Sequence, residues 1–249
     1  FGFADVWLAG ELTKIALFVM TLPYSDAIFI QAFPRECTEV FLEGHRRAFE
    51  FFGGVPTRIS YDNSKIAVAA FTGSRDRKVT KEFQRLKSHY LFVDHFCLVR
   101  RPNEKGHVER LVDFSRSNFL VPVPRVDVLE VLNLRLADDC RKDLQRQLRG
   151  KAASKSELLD EERQQFFRPI PIQAFESHRI VLTDANSLSL VRFDRNDYSV
   201  PTKYAHRPLT VVATVDEVRI VFEDHLVARH QRSWKKQQAL FDPVHYLAL

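Results

Sequence analysis

The sequence predicts an α/β domain followed by a small all-β domain, and three observations carry that prediction. Two adjoining runs, Lys14 to Pro23 (KIALFVMTLP) and Ala27 to Phe33 (AIFIQAF), are rich in Ile, Phe and Val. An amphipathic segment from Glu36 to Phe52 follows, stopped by Gly53-Gly54 and then Pro56. From Ile180 onward the pattern changes to short strand-like pieces of even spacing.

The two apolar runs read as central strands joined by Tyr24-Ser25-Asp26, since an exposed pair would carry more polar positions. Val6 to Leu8 reads as the end of an earlier strand that turns at Ala9-Gly10-Glu11, which makes a three-stranded antiparallel meander. The first strand is expected to be cut short by the start of the chain at Phe1. In the helix from Glu36, the positions Val40, Phe41, Gly44, Ala48, Phe51 and Phe52 fall near a helical period. Arg58 to Tyr61 forms a short strand with Asp62 at its carboxyl end. Three strands, a helix and a further strand form the opening of an RNase H-like α/β domain, an order that other folds share.

Further along, Thr80 to His89 reads as a basic helix and Tyr90 to Val93 as a last strand. Pro102-Asn103 introduces another helix, with Asn103 as N-cap and a buried stripe of Val108, Leu111, Val112, Ser115 and Phe119. Pro122 and Pro124 end it, and Asp127 to Leu148 is a further amphipathic helix. Lys151 to His178 is a polar connector with one helix from Lys155 to Phe167. Strands are expected at Ser189–Phe193, Asp197–Val200, Leu209–Ala213, Val218–Phe222 and Leu226–His230, a spacing suited to a small SH3-like β-barrel. The expected division is therefore a core at 1–150, a connector at 151–180 and the barrel at 181–249.

Composition bounds the function. Hydrophobic residues make up 45% and charged residues 28% of 249 positions, an ordinary globular balance. The three cysteines, Cys37, Cys97 and Cys140, are scattered, with no CxxC pair and no zinc spacing, as suits a reducing cytoplasm. The longest apolar run, Ile15 to Leu22, is far too short to span a bilayer, so no membrane partner is expected. The formal net charge of +5 is concentrated. Between Arg58 and Arg101 ten Lys/Arg, among them Lys65, Arg75, Arg77, Lys78 and Lys81, face only Asp62, Asp76, Glu82 and Asp94. That segment reads either as a polyanion-binding surface or as a solvated basic face.

Phosphoryl transfer with metal ions needs carboxylates from separate elements converging on hard cations such as Mg²⁺. Asp62 qualifies by position, at the carboxyl edge of a sheet, although Asp62-Asn63 also reads as a turn. Glu109 qualifies as an acid early in a packed helix, although an exposed ion pair with Lys105 one turn away explains it equally. Glu104, at the helix start, is explained by the helix dipole. There is no GxxxxGK[ST] loop, no GxSxG elbow and no HxxxH pair, which removes the corresponding ATPase, hydrolase and zinc chemistries.

Three stretches combine to carry a resemblance: Phe49 to Lys65 (FEFFGGVPTRISYDNSK), Asn103 to Glu109 (NEKGHVE) and Asn196 to Pro201 (NDYSVP). Together they resemble the IstA-type DDE transposases, RNase H-like recombinases of bacterial insertion sequences with integrase-like cores. The resemblance implies that Asp62 is the second catalytic acid, Glu109 the third, and that both hold Mg²⁺ or Mn²⁺. It places the first acid directly before a Phe-Gly or Trp-Gly pair. Phe1-Gly2 matches that pair, so the first Asp is expected immediately upstream, the fragment by itself is expected to lack one ligand, and Asp5 is not expected to be catalytic. It also implies double-stranded DNA as substrate (transposon ends and target), a homo-oligomer on that DNA, a separate ATPase helper and a bacterial cytoplasmic, nucleoid-associated setting. Asn63, Lys65 and Lys105 are candidate phosphate contacts close to the metals, with Arg75, Arg77, Lys78 and Lys81 as the wider DNA surface. The alternatives are a degenerate, non-catalytic DNA-binding or assembly domain and an RNase H-like structure-specific nuclease.

Overall fold

The computed structural model describes residues 1–61, 68–71, 77–97 and 106–247, and the chain forms two compact units, Phe1–Phe175 and Glu176–Leu249. The first unit opens on β1 (Gly2–Leu8), β2 (Glu11–Thr21) and β3 (Ile28–Phe33), an antiparallel meander. The turn between β1 and β2 uses Ala9 and Gly10 at φ 49° and 83°, left-handed backbone that glycine adopts without penalty. β9 (Arg125–Val126) lies parallel to the end of β1, giving the order β3-β2-β1-β9.

This sheet is covered on both faces, as its near-continuous apolar strands demand. On one face Val6, Ile15, Leu17, Ile28, Ile30 and Ala32 form a core with Leu132, Leu136 and Cys140 of α4 (Leu129–Asp143), against which Phe114 and Phe119 of α3 (Gly106–Phe119) pack. On the other lies α1 (Thr38–Phe52), which comes so close that a Cβ on Gly44 would stand 2.4 Å from the Phe18 ring. Gly53 caps α1 in the left-handed conformation, φ 71°. Next come β4 (Val55–Pro56), β5 (Arg58–Tyr61), the hairpin of β6 (Val68–Phe71) and β7 (Arg77–Val79), then α2 (Lys81–Tyr90) and β8 (Val93–Phe96). β5 and β8 pair in parallel, Arg58 opposite Val93 and Tyr61 opposite Phe96. A meander, a helix and then parallel strands joined through a helix is the RNase H-like succession. α5 (Lys155–Phe166) starts on a capping box of Ser154 and Glu157. It ends in β10 (Phe167–Arg168), which pairs back on β4.

Two expected elements are displaced. The strand read at Tyr90–Val93 begins at Val93, because Tyr90 is the last residue of α2, buried in line with Phe83 and Leu86, and Leu91 closes the helix at φ 58°. The helix read from Asp127 to Leu148 is shorter, Leu129–Asp143, and its last turn gives way to Arg146 and Gln147, which bond to Asp143 and Ala152. Asn103, expected as an N-cap, lies outside the described residues.

The second unit is all β apart from two short 3₁₀ turns at Thr202–Tyr204 and Pro243–Tyr246. One sheet has the order β11-β14-β15-β16, from β11 (Arg179–Asp184), β14 (Pro208–Ala213), β15 (Glu217–Phe222) and β16 (His225–Gln231). The other joins β12 (Leu190–Phe193), β13 (Asn196–Ser199) and β17 (Ala239–Leu240). Both close on one core of Val191, Phe193, Tyr198, Val211, Val218 and Ile220, a small barrel-like fold. No helix among the described residues is long and apolar enough to cross a membrane.

Candidate catalytic site

The strand that precedes Asp62 is held at both ends. At its start, Arg163 of α5 donates to the Phe52 carbonyl at 2.5 Å, and the Thr57 amide donates to the Phe166 carbonyl at 2.9 Å. Gly54 is tight here, since a Cβ would lie 2.9 Å from the Phe167 ring and 3.1 Å from the Arg168 carbonyl. The motif FFGGVP thus ends a helix, passes under β10 and delivers the chain into β5. At the far end, the Cys97 amide donates to the Tyr61 carbonyl at 2.9 Å.

Tyr61 is anchored by its side chain as well. His45 of α1 lies with Nδ1 2.7 Å from the Phe41 carbonyl and Nε2 3.0 Å from the Tyr61 hydroxyl. A carbonyl only accepts, so Nδ1 carries the proton and donates, and Nε2 accepts from the tyrosine. Phe41, Phe83, Phe92 and Phe96 surround the phenol ring, with Phe83 edge-on at 5.0 Å. Burial pushes the Tyr61 hydroxyl well above its ordinary value, with the Asp94 charge adding to it, and pulls His45 down to about 4. The last residue of β5 is therefore fixed by a neutral, dry hydrogen-bond chain, and Asp62 follows it directly in sequence.

The depressed His45 has a measurable consequence. Its unfolded value is near 6.5. Between pH 6.5 and 4 the unfolded chain takes up a proton that the folded chain refuses, so stability falls as the pH falls through this window and levels off below it. The slope is about 1.4 kcal/mol per pH unit and the total about 3 kcal/mol. Glu43 acts lower. Burial raises it, but the hydrogen bonds and charges of Arg46 and Arg47 outweigh that and hold it at about 2, so its contribution is lost only below about pH 4.5. Denaturant melts of wild type and His45→Gln across pH 4–7 check this: the variant should lose the upper slope, and an equal slope in both would refute the assignment.

α3 supplies the second position. Glu109 is the fourth residue of the helix, and further along Arg116 donates to the Phe3 carbonyl at 3.0 Å, tying α3 to β1. Asp62, Asn63, Lys65, Arg75 and Lys105 lie outside the described residues, as do the side chains of Glu109, Arg77 and Lys78. Lys81 is exposed at the first position of α2. Asp5 is exposed on β1, opposite Lys14 in register. Among the described residues no group of three or more His, Cys, Asp or Glu could hold a metal ion. Asp62 and Glu109 would offer hard carboxylate oxygens, a donor type that suits Mg²⁺ or Mn²⁺. His45 was not singled out from sequence. Its one signal is its place on the apolar side of α1 between Phe41 and Phe49.

Residues 170–242 match the family described as Mu transposase, C-terminal domain. A transposase of Aminobacter aminovorans is 32% identical over an alignment covering 100% of this chain and 50% of the relative. A Pseudomonas aeruginosa transposase for insertion sequences IS1326/IS1353 is 30% identical, covering 97% of this chain and 48% of its own. The chain is similar over nearly its whole length to insertion-sequence transposases, that of IS21 among them. A third relative, the Pseudomonas aeruginosa transposase for insertion sequence element IS21, is also 30% identical, over 92% of this chain and 59% of its own. The chain spans about half the length of the curated relatives it matches.

Proposed function

We propose that this chain is the catalytic region of a DNA transposase that cleaves transposon 3′ ends and joins them to target DNA. The observation that carries the reading is β5: a strand clamped at its start, pinned at Tyr61, and followed at once by Asp62, in a chain 30–32% identical to transposases along nearly its whole length. In this reading the core spans residues 1–150, a connector 151–180 and a barrel 181–249. Asp62 and Glu109 hold Mg²⁺ or Mn²⁺ together with an acid that the resemblance places directly before Phe1-Gly2. A divalent ion held there offsets the charge of the reacting phosphate and activates the attacking oxygen. Double-stranded DNA is the substrate, copies of the chain assemble on it, and a separate ATPase acts as helper in the bacterial cytoplasm, at the nucleoid. Full-length protein incubated with end-bearing DNA in Mg²⁺ or Mn²⁺ should nick the 3′ ends. Binding without cutting in either metal would favour the non-catalytic DNA-binding alternative.

The basic segment around β7 and α2 is the proposed duplex surface, with Asn63, Lys65 and Lys105 closer to the metals. Neutralising Arg75, Arg77, Lys78 and Lys81 together should flatten the salt dependence of duplex binding, each lost phosphate contact lowering the log–log slope by about 0.9. An unchanged slope would make the segment a solvated face only.

A further inference from the structure

The segment that leaves α5 grips the first unit at two points before the second unit begins at Glu176. The first grip is on the entry to β5. Phe167 and Arg168 of β10 pair with Pro56 and Val55 of β4. The Thr57 amide donates to the Phe166 carbonyl at 2.9 Å, and the Thr57 carbonyl accepts from the Val93 amide at 2.8 Å. One residue thus joins the end of α5, the entry to β5 and the first residue of β8. β8 is the parallel partner of β5, with Arg58 opposite Val93.

The second grip lies on α2. Phe175 is buried, its ring centre 5.1 Å from that of His89 and 5.6 Å from that of Tyr90, with the Arg85 guanidinium 5.3 Å away. His89 and Tyr90 are the last two residues of α2, and Val93 opens β8 just beyond them. Phe175 therefore bears on the helix end that leads into β8, while β10 bears on the chain that leads into β5. Between the two grips, Pro169-Ile170-Pro171-Ile172-Gln173-Ala174 has no regular structure, and Ile172 is fully exposed. The prolines fix φ at their own positions and keep Arg168 and Ile170 extended, so this stretch is a stiff spacer and not a slack loop. Its far end is tied down by the burial of Phe175.

We propose that Phe175 is a positioning residue for the phosphoryl transfer: together with β10 it braces the β5–β8 pair, and through that pair the acid that follows Tyr61. The proposal rests on the catalytic reading of Asp62 given above. A parallel pair only four residues long is held by few hydrogen bonds, and its leading residues, Arg58 and Val93, each sit directly beyond a grip. The His45–Tyr61 bond fixes the far end of β5 and leaves β8 free to tilt at the near end. Mg²⁺ demands near-ideal ligand geometry, so a small tilt matters. A misplacement on the order of 1 Å can cost about 10²-fold in rate.

The test compares full-length wild type with Phe175→Ala, first by amide exchange without metal and then by end cleavage in Mg²⁺. The Thr57 and Val93 amides should exchange faster by about tenfold or more, while the amides of β2 keep their wild-type rates. Cleavage should fall by about 10–10²-fold with duplex binding unchanged. Phe175→Leu, which keeps most of the apolar volume, should fall between the two proteins in both measurements. It carries the test alone if the alanine variant melts early. Wild-type exchange at Thr57 and Val93 in a folded Phe175→Ala protein overturns the brace. Faster exchange with undiminished cleavage overturns the positioning role. Exchange quickened equally in β2 overturns it as well, since Phe175 would then serve only global stability. A wild-type protein that cuts no ends in Mg²⁺ or Mn²⁺ overturns the transposase reading and the positioning role with it, while the brace stands or falls by the exchange rates.

Discussion

Asp62→Asn or Glu109→Gln is expected to abolish end cleavage by the full-length protein, by about 10³-fold or more, with duplex binding largely intact. An amide keeps the size and shape of the carboxylate but removes the charge that a hard cation needs, and with the ion goes the stabilisation of the charge developing on phosphorus. The same substitutions should leave folding unaffected, because each exchanges a carboxyl group for an amide of the same size and shape. Asp5→Asn is the internal control. It sits exposed on β1 opposite Lys14, so cleavage should persist. Cleavage lost with Asp5→Asn as completely as with the other two would make Asp5 the remaining acid. Cleavage retained by Asp62→Asn would end the catalytic reading.

The parts of the fold that were legible in the sequence were those built from local pattern. The meander showed itself through Ile-, Phe- and Val-rich runs, α1 through its apolar period and its Gly53-Gly54 stop, and Arg58–Tyr61 through its apolar residues between turn signals. Five of the strands in the second unit were legible for the same reason. β11 was not. Ile180, Val181 and Leu182 are three apolar residues in a row, so the sequence lacks the apolar–polar alternation that marks one buried face, and Ile180 and Leu182 are 51% and 81% exposed. β8 was misplaced because Tyr90 has high strand propensity, while burial beside Phe49, at a ring distance of 4.7 Å, keeps it in the helix. For the candidate site, acids near a strand end and a helix start could be read from sequence, and β5 does end at Tyr61 and α3 begin at Gly106. The support around them could not. The His45–Tyr61 bond joins residues sixteen apart on different elements, and the Arg163–Phe52 bond spans 111 positions; neither leaves a spacing signature.

Lys155→Met should give a large loss of stability although it lies away from the candidate site. The lysine opens α5, an unfavourable place for a cation in the field of the helix, so its reason lies in tertiary contacts. Its side chain is 3% exposed, with Nζ 2.7 Å from Asp143 of α4 and 3.0 Å from Asp26 in the β2–β3 turn, and it donates to the Asp26 carbonyl at 2.9 Å. One ammonium thus joins a turn, the end of one helix and the start of the next. Methionine keeps the length and loses the charge, leaving Asp143, also 3% exposed, with Arg146 at 2.8 Å as its remaining ion-pair partner. Removing one member of a buried pair costs about 3–5 kcal/mol, and the surviving Arg146 contact argues for the lower figure. In a unit of this size about 3 kcal/mol lowers the melting temperature by about 6–12 °C. Lys155→Met/Asp143→Leu should recover much of the loss, since an apolar pair in place of a buried ionic one is often neutral. A melting temperature unmoved by Lys155→Met would mean that desolvation of the lysine already cancels its attraction to the two aspartates. The effect should also reach β5, because α5 carries Arg163 to the Phe52 carbonyl and leads into β10. Amide exchange at Thr57, bonded to the Phe166 carbonyl, should therefore quicken in the single variant and slow again in the double.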